Sequence, residues 1–291
     1  MKNKLNLSAG VTLIEILIGI VISVIIMGAM YASYEAVNSS YSQITDRAKI
    51  SQSGRNILGM MVRDIRQAGF KYFEDTIANS NEPIKITENK GGPNASDDSE
   101  CDHIDIVYGD VTYDSSQPDP EDRHTFHRYK ITYYCEPSKI IDKTIIGLAT
   151  AIDTNAVYKS KLIWIDPDGD GIGTWGTGPA GSKTYQAQII TDYVEDLVFI
   201  PKDNNGVIID PPPTNNNSNK EKVLSIKSVE VALTVRSVKK FYNYTTKADG
   251  TKRKIADIED RNAAVENTDL ILRDTITVSV NTRNIGLQWI S

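Results

Sequence analysis

From Val11 to about Tyr31 the chain carries one charged side chain, Glu15. The rest of this run, VTLIEILIGIVISVIIMGAMY, is apolar on every side and has no polar stripe. At ~1.5 Å of rise per residue a helix of this length spans roughly 30 Å, the thickness of one hydrocarbon core. The segment therefore reads as a membrane span, and everything after it is polar enough to sit in water. Lys2 and Lys4 precede the run, and no basic residue follows until Arg47. That asymmetry places the N-terminus in the cytoplasm and the bulk of the chain outside. A cleaved secretory signal is a poor fit, because the apolar run is long and no small-x-small site follows it. The small residues Ser8, Ala9 and Gly10 come before it instead. A processing site would lie there, and the apolar run would stay on the mature protein.

Glu15 needs an explanation. A carboxylate at the bilayer centre costs about 2.5–3.5 kcal/mol on insertion scales, and less near a helix end. Such a group calls for a partner. The stretch G-VTLIEILIGIVIS, with Gly10, Thr12, Leu13, Ile14, Glu15 and Leu17, resembles the prepilin signature of type IV pilins and type II secretion pseudopilins. The resemblance implies cleavage after Gly10 by a prepilin peptidase at the cytoplasmic face and methylation of the new N-terminus at Val11. It also implies a role for Glu15 in filament assembly, where its carboxylate meets the N-terminal amine of a neighbouring subunit. Residues 1–10 are then the leader and 11–31 the transmembrane half of a longer helix.

After the span, Tyr34, Val37, Tyr41, Ile44, Ala48, Ile57, Met61, Ile65 and Ala68 recur mostly every three or four residues. Ser39, Ser40, Asp46, Lys49 and Arg63 fall between them. This is one apolar stripe on a helix. No proline occurs before Pro83, and Gly69 is a suitable stop. One helix is expected from about Val11 to Ala68, with its amphipathic half over 32–70 packed on a soluble domain. The segment LGMMVRDIRQAGF resembles the helix end of PilW-like minor pilins and of J-type pseudopilins.

Beyond Gly69 the pattern becomes that of strands. HIDIVYGD, HTFHRYKITYYCE, KLIWID, DYVEDLVFIPKD, SVEVALTVRSVKK and RDTITVSVNTRN are rich in Val, Ile, Thr and Tyr and partly alternate. Val229, Val231, Leu233 and Val235 share one face, and Glu230, Ala232, Thr234 and Arg236 the other. A sheet packed on the amphipathic helix buries both apolar faces. The expected fold is α+β: a long N-terminal helix on an antiparallel sheet with long loop insertions, over a β-rich globular domain of residues 71–291. This is the architecture of pilins, and YVEDLVFIP, SVEVALTVRS and VNTRN resemble the strand series of the PilW-like group. Asn89–Asp102 and Asp203–Lys220, rich in Gly, Pro, Asn and Ser, read as exposed insertions.

With 291 residues, 40% of them hydrophobic, the chain can build one large core or two small ones. Its formal charge of -6 argues against nucleic acid across the whole surface. The basic aromatic stretch Lys239–Lys254, with Phe241, Tyr242 and Tyr244, is the best local candidate for such contacts; a solvated hairpin loop accounts for it better. Cys101 and Cys135 can form a bridge outside the cytoplasm, bind zinc with His103, or remain free thiols; the compartment favours the bridge. Closing that loop contributes on the order of 4 kcal/mol in the chain-entropy treatment. His124 and His127, three apart on a strand, point to opposite faces and do not share a metal. No nucleophile elbow, phosphate loop or zincin motif is present, and the serine–lysine spacing from Ser237 lacks companion motifs. No enzyme is expected, and no small-molecule substrate.

One motif points to a metal. In DPDGDGIGTWGT, Asp166, Asp168 and Asp170 alternate ahead of Gly171, as in the first half of a calcium loop, with Ile172 placed to add its carbonyl. The twelfth position is Thr177 rather than glutamate, so the loop is incomplete and its remaining ligands must come from elsewhere, with Asp192, Glu195 and water as candidates. The leading expectation is a minor pilin-like subunit that takes part in priming a type IV pilus. Its partners would be other minor and major pilins, the prepilin peptidase and the inner membrane, and it would later sit on the pilus or cell surface. A J-type pseudopilin of type II secretion and an anchored calcium-dependent binding module are the alternatives.

Overall fold

The computed structural model describes residues 12–70, 82–89, 101–113, 115–120, 123–139, 141–142, 150–151, 154–166, 173–178, 183–213, 220–241, 254–256, 264–266 and 270–285. The chain divides into two compact units, Met1–Ala48 and Lys49–Ser291.

The first helix, α1, runs over Leu13–Ile65. A proline-free sequence lets it run unbroken. The expected apolar stripe divides along its length. Tyr34, Val37, Tyr41 and Ile44 are 68–70% exposed, whereas Ile57, Leu58, Met61 and Ile65 are at most 4% exposed. The buried side of the helix thus begins near Ile50, further along the chain than the sequence pattern suggests.

The second unit is built on antiparallel strands: β1 (Ile84–Thr87), β2 (His103–Tyr113), β3 (His124–Pro137), β4 (Ile141–Asp142), β5 (Thr150–Ala151), β6 (Asn155–Ile165), β7 (Thr174–Gly176) and β8 (Tyr185–Lys202). A short helix, α2 (Lys220–Ser225), precedes β9 (Ser228–Lys240), β10 (Lys254–Ala256), β11 (Ala264–Glu266) and β12 (Ile271–Asn281). The main sheet runs β1-β2-β3-β6-β8-β9-β12, with β7 added to β6, while β4-β5 and β10-β11 form separate ribbons. The α+β expectation is met.

Alternation explains which face is buried. Val229, Val231, Leu233 and Val235 of β9 join Ile104 and Ile106 of β2, Ile131 and Tyr133 of β3, Val157 of β6 and Leu197 and Phe199 of β8 in one core with the end of α1. Gly54 lets the helix approach closely: a Cβ there would stand 2.6 Å from Ile276 Cδ1. At the other end of the contact, Gly69 has φ of +73° and lies against the Asn284 carbonyl. Its N–H donates to the Val107 carbonyl at 2.8 Å, and Gly109 N–H donates to the Phe70 carbonyl at 2.7 Å. The chain leaves the helix by pairing with β2.

A polar cluster is buried inside this core. Asp64 of α1 meets Lys159 of β6 at 2.6 Å, and the Tyr133 hydroxyl of β3 donates to the same carboxylate oxygen. The Lys159 ammonium also lies 5.3 Å from the Tyr133 ring centroid. Burial and then the Asp64 charge push the Tyr133 phenol up, and the same two causes push Tyr108 up to about 12. Both rings stay protonated, so Tyr133 remains a donor to Asp64.

On the opposite face, Asp105 accepts from the Thr132 hydroxyl and lies 3.3 Å from His103 Nε2. Burial alone raises this carboxyl, but His103, Lys130 and Thr132 outweigh it and hold it below the ordinary carboxylate range.

Two outcomes follow from these pairs. Asp64→Ala leaves a buried lysine uncompensated and should cost about 3–5 kcal/mol of stability, whereas Asp64→Leu with Lys159→Met should recover most of the loss. Urea unfolding of the full chain in detergent, followed by tryptophan fluorescence, measures both; an unchanged midpoint for Asp64→Ala contradicts a stabilising role for the buried Asp64–Lys159 pair. For Asp105 the folded value lies below the unfolded one. Its contribution is therefore complete above about pH 4 and disappears as pH falls through the lowered value. Melting temperatures taken downward from pH 5 should fall less steeply for Asp105→Asn than for the wild type, and parallel curves would remove the assignment.

Candidate assembly helix and sheet sites

Gly10 and Val11 lie outside the described residues, which begin at Thr12. Glu15 lies in the first turn of α1. Thr12 donates to Glu15 Oε2 twice, from its N–H at 2.9 Å and from its hydroxyl at 3.0 Å, and Glu15 N–H donates back to Thr12 Oγ1 at 3.4 Å. This is a reciprocal capping box. The Thr-x-x-Glu spacing announces it, and sequence reasoning that looked only for an intermolecular partner passed over it. In the chain taken alone, the carboxylate is satisfied by its own helix start.

α1 is long and apolar enough to cross a bilayer. From Leu13 to Met30 its large side chains are all about half exposed or more. The exposed stripe of Tyr34, Val37, Tyr41 and Ile44 continues from this apolar surface. Such a surface is compatible with a single-pass anchor, and with packing against other helices once outside lipid.

Cys101 and Cys135 are joined, with Cα atoms 5.9 Å apart, and both are fully buried. His103 takes no part, since its ring stacks on Tyr134 at 6.0 Å and its Nε2 faces Asp105. Of the readings open for the cysteines, the bridge is the one present. Its neighbour Asp102 adds a second tie. Asp102 N–H donates to the Leu197 carbonyl, and its side chain accepts from Phe199 N–H at 2.8 Å and Asn89 N–H at 3.1 Å. The bridge and Asp102 together fasten the start of β2 to β3 and β8.

His124 lies 5.2 Å from the Tyr113 ring, while His127 meets Thr112 Oγ1 at 3.1 Å, on the other side of the sheet. Ser237 is buried and its hydroxyl accepts from Leu272 N–H at 3.1 Å, a structural contact rather than the setting of a nucleophile. In the basic stretch, Phe241 N–H donates to the Leu270 carbonyl, and Tyr242 and Tyr244 lie outside the described residues.

Asp166 follows the last residue of β6, and Ile165 pairs with Thr174 of β7, so the acidic motif closes a β-hairpin. Asp168, Asp170 and Ile172 lie outside the described residues. The two carboxylates offered to complete this loop are placed elsewhere. Thr191 pairs with Val157 and Val194 with Asn155, which puts Asp192 and Glu195 at the start of β6, about 25–35 Å along the strand from Ile165. Glu195 is also held by Arg236 at 3.1 Å and Arg273 at 3.2 Å. Ligands from these two positions are ruled out by strand direction, which a local motif does not report.

No family model matches this chain, and no curated protein matches it. Among solved structures it is similar to a type IV-like pilin from Thermus thermophilus, at 8% identity and a TM-score of 0.43, over 81% of this chain and 97% of that one.

Proposed function

We propose that this chain is a non-enzymatic, minor pilin-like subunit. It is inserted in the inner membrane with its N-terminus cytoplasmic, and is then extracted into a type IV pilus, where it helps prime assembly with other minor pilins. The observation that carries the reading is the composition of α1. One 53-residue helix has a bare apolar surface with a single carboxylate at its first turn, and an opposite end packed into an antiparallel sheet. A bilayer anchor explains the apolar run, and the Thr12 box satisfies Glu15 within its own helix, but neither supplies a contact to another subunit. Assembly does: cleavage after Gly10 frees an amine at Val11, and the Glu15 carboxylate can exchange its Thr12 contacts for the amine of a neighbouring subunit. The disulfide supports a domain outside the cytoplasm, where such bridges persist. A J-type pseudopilin of type II secretion shares this anchor, and co-purification with pilus rather than secretion components separates the two.

The expected outcome is a mature chain that begins at methylated Val11, read by intact mass. Glu15→Ala should stay in the membrane, because the segment becomes more apolar, yet enter sheared filaments several-fold less than the wild type. Retention of residues 1–10 in wild-type cells, or undiminished entry of the variant, contradicts the reading.

The hairpin closed by Asp166, Asp168 and Asp170 is assigned to calcium, because three carboxylates within five residues repel one another without a cation. Binding raises stability by mass action, about 2.7 kcal/mol at 100 times the dissociation constant. Calcium should raise the melting temperature of the full chain, and Asp168→Ala should reduce that rise; an equal rise in the variant removes this loop from the account.

A further inference from the structure

On the sheet face away from α1, Ala156 of β6 stands directly opposite Glu136 of β3, and Tyr158 stands opposite Tyr134. Ala156 and Glu136 are both buried. The alanine methyl makes a low floor between longer neighbours. Tyr158 stacks on Tyr134 with ring centroids 5.6 Å apart and planes 9° from parallel.

β8 borders the same floor, and its register breaks there. Asn155 pairs with Val194 and Val157 with Thr191, so β8 carries one residue more than β6 across this step. Within the bulge Tyr193 takes φ of +62°, a left-handed conformation that a bulky residue rarely adopts. Bulges of this kind re-aim side chains and are frequent beside binding sites. Here the bulge brings Asp192 to Ser138, whose hydroxyl donates to Asp192 Oδ1 at 2.8 Å. Ser138 lies two residues beyond Glu136 and shares its face.

One atom at this place is unaccounted for. The Tyr158 hydroxyl is buried and has no hydrogen-bond partner among the described residues. Burial, then Glu136 and then Asp192 push its phenol up, so both carboxylates are near enough to act on it. Neither accepts its proton. Glu136 is the diagonal neighbour of Tyr158 across β3 and β6, on the same face. The oxygens of Glu136, Asp192, Ser138 and Tyr158 therefore gather on one patch of this face. The donors are two carboxylates and two hydroxyls, with no sulfur or imidazole among them, which is the preference of a hard cation.

We propose that Glu136, Asp192, Ser138 and Tyr158 form a binding site for a hard divalent cation of calcium's size. It sits at the Asn155 end of β6 and is separate from the acidic hairpin at the Ile165 end. The bound ion joins β3, β6 and β8 beside the bulge.

Terbium is the probe, because a tyrosine next to the ion sensitises its luminescence and calcium displaces it. The full chain in detergent should show terbium emission on tyrosine excitation, quenched by added calcium. Glu136→Gln with Asp192→Asn should weaken terbium binding by about 10-fold or more, since affinity follows ligand charge. Asp168→Ala should leave that emission in place. Ser138→Ala keeps both carboxylates and should raise the terbium midpoint several-fold, which tests the site even if the double variant does not fold. No emission from the wild type, the result expected if a lone water meets the Tyr158 hydroxyl, overturns the proposal. Emission unchanged by Ser138→Ala, or abolished by Asp168→Ala, overturns it as well.

Discussion

The contact between Asp64 and Lys159 decides how α1 lies on the sheet. An apolar helix face can slide and rotate over an apolar sheet at modest cost, because burial has little direction. A buried ion pair has direction. Its carboxylate must meet one ammonium on β6 and one phenol on β3, and any other rotation of the helix leaves a charge without its partner. Such pairs add little net stability over a well-packed apolar replacement, and their attested use is to fix register. With the helix fixed, Met61 and Ile65 fall over the sheet and Gly54 meets Ile276.

The ends of the sheet are fixed by different means. Gly69 turns the chain out of the helix with a positive φ and hands its backbone to β2. Near Cys101, the disulfide holds the start of β2 to β3, while Asp102 ties it to Phe199 of β8 with one carboxylate oxygen and to Asn89 with the other. On the outer face of β8, β9 and β12, Arg236 and Arg273 are direct cross-strand partners, a repulsive arrangement that Glu195 relieves by meeting both. In each case a polar contact specifies a placement that apolar packing leaves open.

The architecture was legible where burial is one-sided. The alternation in Val229–Val235 and the turn at Gly69 are local signals, and both correspond to observed features. β6 was legible only in its second half, because Asn155–Ser160 carries Lys159 facing the core, and its partner Asp64 is distant in sequence. The start of β8 was missed because bulges break its alternation, with Ala187 and Tyr193 both at positive φ. The candidate sites divide in the same way. The bridge was among the readings of two cysteines. The capping box at Thr12 was written in the sequence but obscured by the search for a partner on another chain. Asp192 and Glu195 fall at the far end of β6 from the acidic motif because of strand direction and register, which the local motif does not carry.

The exposed half of α1 poses a different physical problem. Tyr34, Val37, Tyr41 and Ile44 lie beyond the apolar run expected to sit in lipid, yet are as bare as the residues within it. A stripe with three- and four-residue spacing is a helix-packing surface, and left in water it favours association. Charged and polar residues between the stripe positions, Glu35, Ser39, Ser40 and Asp46 among them, keep the opposite side soluble. The segment therefore offers a surface suited to packing against other helices. In that setting the Thr12 box has a second consequence. It gives Glu15 a partner within its own helix, so that the carboxylate need not enter the bilayer without a hydrogen-bond donor.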